Sequence, residues 1–112
     1  MKDIWRPNEG YRISTDGQLL FAGFVREGVR SSSVTVGATA TALPATAYSN
    51  RHTLLIQNYG SVEVFIGGSD VSTVNGISLL PRATLQIGIT DDAKIYGIVS
   101  VGTADVRILE GA

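Results

Sequence analysis

The sequence predicts an all-β protein, an antiparallel β-sandwich of jelly-roll-like or Ig-like type, preceded by an extended N-terminal arm. Three observations carry that expectation. Apolar residues recur with a period of two in short runs from Ser33 to Glu110. Clusters of Gly, Asn, Asp and Ser fall between those runs at regular intervals, the pattern of sandwiches and small barrels. No stretch sustains a helical period. The most Ala-rich candidate, GATATALPATAYSN from Gly37, holds Thr39, Thr41 and Thr46, which resist a helix, and Pro44, which breaks one.

The elements follow in chain order. The first 32 residues form the arm, with an irregular lead through Trp5, Pro7 and Gly10. A short hairpin over YRISTDGQLLFAGFV would turn at Asp16-Gly17, and REGVRSSS reads as a linker. The β-domain spans residues 33–112. It opens with SVTVG, whose Val34 and Val36 share a face. The segment from Gly37 to Asn50 is extended, with a bend at Pro44; a helical turn over Ala45 to Ser49 is the alternative. In RHTLLIQN, Leu54 and Ile56 oppose Thr53, Leu55 and Gln57. Val62, Val64 and Ile66 align in SVEVFIG. Gly67 to Val74 reads as an irregular connector across the sandwich. Asn75-Gly76 then turns into ISLLP, which Pro81 ends. ATLQIGI alternates Leu85, Ile87 and Ile89 with Thr84, Gln86 and Gly88. KIYGIVS is dense enough to be covered on both faces, and TADVRILE directs Val106 and Ile108 away from Asp105 and Arg107. Asn58 to Ser61, Asp91 to Ala93 and Val101-Gly102 read as tight reversals between neighbouring strands.

Bulk chemistry narrows the function. Nine basic and ten acidic residues give a net charge of −1, so no basic excess favours nucleic acid. Cysteine is absent, which removes disulfides, thiol nucleophiles and thiolate metal sites, and the single His52 removes multi-histidine metal centres within one chain. No run approaches the roughly 18 apolar residues of a membrane helix. MKDIWRPNEG has no apolar core for a secretory signal, so the expectation is an intracellular product, open to later assembly into a particle. Charged residues make up 17% of the chain, below the usual ~25%, while Ser, Thr, Gly, Ala and Val abound. That mixture suits β-structure whose surface is largely covered by neighbours.

No catalytic constellation emerges. Gly67-Gly68 is followed by neither the Lys nor the helix that a phosphate loop needs. Ser69 has only His52 as a candidate base, and His52 lies at a strand start beside Arg51. Asp70, Ser72 and Asn75 offer a single carboxylate to a calcium ion, and Asp91-Asp92 reads as a turn. Most of the ten acidic residues read as turn or solvent-facing positions, and no pair stands out for glycosidase chemistry. The expectation is a non-enzyme without cofactor or metal.

The run SVTVGATATALPATAYSNRHTLLIQNYGSVEVFIGGSDVSTVNGISLLPRATLQI, with the ending AKIYGIVSVGTADVRILEG, resembles small structural proteins of tailed bacteriophages, of the head-decoration (cement) or head-fibre type. The marks are the VTVG strand, the ALP bend, LLIQN before a Gly turn, IGGSDV, the late NG and the closing GTADVR strand. The resemblance spans Ser33 to Gly111. Arg82 departs from it, since a Gly is expected after Pro81. It implies a virion protein, made in the host cytoplasm, that sits on the capsid surface, binds the major capsid protein and assembles as a homo-oligomer, with a trimer favoured.

The arm matches no part of that pattern, and its role is read from physics. An apolar stretch such as LLFAGF outside the main sheet must bury itself on its own domain or on a partner. Ile4, Trp5, Tyr11, Leu20, Phe21 and Phe24 are the expected anchors on the capsid, and Arg6, Arg12, Arg26 and Arg30 the expected partners of capsid carboxylates. The reading is thus a decoration protein whose arm bridges neighbouring capsomers. The alternatives are a tail, neck, baseplate or fibre-anchoring component and, from another class, a carbohydrate-binding sandwich.

Overall fold

The computed structural model describes residues 27–112. The arm anchors Ile4, Trp5, Arg6, Tyr11, Arg12, Leu20, Phe21, Phe24 and Arg26, and the hairpin turning at Asp16-Gly17, lie outside the described residues. The described chain contains no helix. Its strands are β1 (Val29–Val36), β2 (Thr41–Ala42), β3 (Thr53–Asn58), β4 (Val64–Gly67), β5 (Ile77–Leu79), β6 (Thr84–Gly88), β7 (Tyr96–Ile98) and β8 (Ala104–Gly111). They form two four-stranded antiparallel sheets, ordered β1-β8-β3-β6 and β2-β7-β4-β5.

The pairing has a simple logic. The first strand pairs with the last, the second with the seventh, the third with the sixth and the fourth with the fifth. A chain folded back at β4–β5 and then rolled up gives that nesting, which is a jelly roll rather than an immunoglobulin-type sandwich. The inward residues meet in one core. Val36, Leu54, Ile56, Val106 and Ile108 from the first sheet face Val64, Ile66, Leu79 and Val99 from the second, and Leu43 closes one side. Val36, Leu54, Ile56, Val64, Ile66, Val106 and Ile108 are among the residues that the period of two aligns in the sequence, whereas Leu43, Leu79 and Val99 are not. Burying each of the larger aliphatic side chains contributes about 1.5–3 kcal/mol.

Three expectations change. The strand expected from Ser33 starts at Val29, so part of the presumed linker is sheet. Apolar alternation is missing there because the inward position is Arg30, which meets a charge instead of an oily core. The turns at Asn58 to Ser61, Asp91 to Ala93 and Val101-Gly102 do not join paired neighbours. Each carries the chain from one sheet to the other, and the hairpin between consecutive strands is β4–β5, across the segment read as a crossing. Turn residues report that the chain reverses, not which sheet receives it. The two-residue β2 was not anticipated. It sits inside the segment expected to be extended, just before the bend at Pro44, whose bond to Leu43 is cis.

The connections from β1 to β2, β3 to β4, β5 to β6 and β7 to β8 gather at one end of the sandwich. The others, with Glu27 and Ala112, gather at the opposite end, the terminal end. Backbone bonds fix this arrangement: Tyr59 N donates to Asp105 O, Arg82 N to Asn58 O, and Glu27 N to Ala112 O.

Candidate functional site

Two charged clusters mark the two ends, and their roles differ. At the terminal end Glu110 is completely buried. One carboxylate oxygen, Oε1, accepts from Arg30 Nε at 3.0 Å and Nη2 at 2.5 Å; the other, Oε2, accepts from Arg51 Nη1 at 2.8 Å and from the Tyr48 backbone N–H at 2.9 Å. Arg51, 2% exposed, also donates through Nε to the Thr90 carbonyl and through Nη2 to the Ala93 carbonyl. Arg30 also donates to the Thr46 carbonyl and lies over the Tyr48 ring. One acid and two guanidinium groups therefore tie β1, β8 and the loops before β3 and after β6 into a single unit. Every lone pair has a donor, the condition under which a buried charge is tolerated.

This cluster is a brace, because both Glu110 oxygens and all three Arg51 side-chain nitrogens have partners within the chain. Arg30, expected to reach for a partner's carboxylate, is committed to Glu110. Glu110, grouped by sequence with turn and solvent-facing acids, is internal. Neither role was legible in the sequence, since Arg30 and Glu110 lie 80 residues apart.

The β4–β5 loop, suspicious for its Gly-Gly, Ser-Asp and Asn-Gly, is occupied with its own backbone. Val71 N donates to Gly68 O, Gly76 N to Ser72 O, Ser72 N to Asn75 Oδ1 at 2.7 Å, and the Ser72 hydroxyl accepts from Val74 and Asn75 N–H groups. Asp91 accepts from the Asn50 N–H. Among the described residues no hydrogen bond joins Ser69 to His52, and no group of three or more His, Asp or Glu side chains converges on a metal position.

At the opposite end sits the cluster that sequence reasoning missed. Tyr59 follows the fully buried Asn58, whose side chain donates to the carbonyls of Val62 and Leu79 and accepts from Gly60 N–H. That network fixes the turn and projects the Tyr59 ring to the surface, 43% exposed. The guanidinium carbons of Arg82 and Arg107 each lie 4.1 Å from the ring centroid. Tyr59 thus carries two guanidinium groups at cation–π distance. Arg107 also pairs with Asp105 at 3.0 Å. Arg82 holds a backbone φ of 72°, in the left-handed region that favours glycine. The sequence did give one signal, the Arg where a Gly was expected. It gave none for the convergence of three residues from three separate loops and strands.

No family model and no curated protein sequence matches this chain.

Proposed function

We propose that this protein is a structural component of a tailed-phage virion, a capsid decoration protein that binds the major capsid protein and bridges neighbouring capsomers through its N-terminal segment. The observation that carries the proposal is the place where that segment leaves the domain. Glu27 and Gly28 bond to Ala112 at the rim of a sandwich whose core is assembled from residues between Val36 and Ile108. Residues 1–26, with Trp5, Tyr11, Leu20, Phe21 and Phe24, therefore precede a domain that already has its own core. Large aromatics, Trp and Tyr above all, are usual anchors of protein interfaces. The mechanism is adhesive: many modest contacts, multiplied over copies, give avidity beyond any single one. The sequence resemblance over Ser33 to Gly111 supplies the virion context, and assembly as a homo-oligomer, a trimer favoured, belongs to the same reading.

The test is deletion of residues 1–26 followed by co-sedimentation with undecorated capsids. Binding should fall at least tenfold while the β-sheet circular dichroism is retained. Unchanged decoration by the truncated chain would refute the role given to the segment.

A further inference from the structure

We infer that the Arg82–Tyr59–Arg107 cluster is a second docking site, carried by the folded domain, that recognises carboxylate groups on an acidic protein surface. The inference goes beyond the proposal above, because the cluster lies at the end of the sandwich opposite the exit of residues 1–26.

Four observations converge. First, both guanidinium carbons lie 4.1 Å from the Tyr59 centroid; Asp105 takes the Nε and Nη2 side of Arg107, whereas the Arg82 guanidinium has no hydrogen-bond partner among the described residues, which leaves its donors open to a carboxylate. Stacking also holds each long side chain in place, so less conformational entropy is lost when a ligand arrives. Second, the charge is unbalanced. Asp105 answers Arg107, but among the described residues no carboxylate pairs with Arg82. Third, Arg82 keeps its left-handed backbone where a glycine would sit without strain. Strain of that kind persists where the side chain is needed. Fourth, the surroundings are those of a protein interface. Leu80 is 59% and Val101 70% exposed in the loops of the same end, so that end offers apolar surface as well as cations.

The same observations disfavour a polyanion such as nucleic acid or a sulfated polysaccharide. Binding to a phosphate or sulfate backbone draws on a run of cations, whereas this site has two, one of them already paired, in a chain of net charge −1.

The experiment uses the full-length, isotope-labelled chain titrated with poly-L-glutamate and, separately, with heparin, following backbone amide shifts. Capsids are not involved, so the outcome is independent of the virion proposal. Saturable shifts at Tyr59, Arg82, Ala83 and Arg107 are expected with poly-L-glutamate, weakening at least fivefold in 0.5 M salt and at least fivefold in either Arg82→Gln or Arg107→Gln. Arg82→Gly adds a readout that a purely structural role would not give: weaker binding together with an unchanged or raised melting temperature. Absence of shifts, equal binding by the variants, or binding of heparin with poly-L-glutamate silent would each overturn the assignment.

Discussion

Glu110 shows how much a single residue can decide in a small domain. It is buried between two arginines, and removing it would leave Arg51 charged and enclosed without a counter-charge. Glu110→Ala is expected to destabilise the fold by about 3–5 kcal/mol, as breakage of a buried ion pair does, measured by urea denaturation. The exposed Arg107–Asp105 pair contributes at most about 1 kcal/mol by contrast. The sequence did not single out Glu110, because a charge at an inward strand position reads as an interruption of the apolar period. Its partner Arg30 interrupts the period of β1 in the same way. The two breaks explain each other once the strands lie side by side, with Arg30 directly across from Glu110 in the ladder. Core residues such as Leu54, Ile56, Val106 and Ile108 were legible because their signal is local and repeats at i and i+2.

At the scale of elements, strands were easier to read than their connections. The alternating runs from Thr53, Val64, Thr84 and Ala104 all became strands with the expected inward faces. Their partners were not legible, since pairing in a rolled-up chain joins residues far apart in sequence. The glycines of the β4–β5 loop illustrate the same limit. Gly76 is required by close approach, not by an unusual φ: a Cβ there would meet the Phe65 Cβ at 2.7 Å and the Ser72 carbonyl oxygen at 3.0 Å. Gly76→Ala should therefore cost about 1–3 kcal/mol through overpacking, seen as a lowered midpoint of thermal unfolding. The start of β1 gives a sharper test. A chain beginning at residue 27 keeps the whole strand, whereas one beginning at residue 33 loses half of it together with Arg30. The longer form should unfold cooperatively. The shorter should be much less stable, with Glu110 short of one partner; equal stability of the two would contradict the brace described for the terminal end.

The whole molecule places its charged groups in two kinds of service. The terminal end turns them inward and locks the loops beneath the point where residues 1–26 depart. The other end leaves Arg82 and Arg107 exposed against the Tyr59 ring. This division is how we read an adhesive component, with the sandwich between two contact regions. Fold class was legible in composition and periodicity, whereas the site at the non-terminal end was not, because its members meet only after rolling up. The proposed role on a capsid is tested most directly by counting and locating the protein in purified particles, through quantitative mass spectrometry with cryo-electron microscopy. A capsid decoration protein should be present on the order of hundreds of copies, arranged by shell symmetry on the outer surface. About six or twelve copies confined to the tail or neck, or no copies at all, would contradict the account.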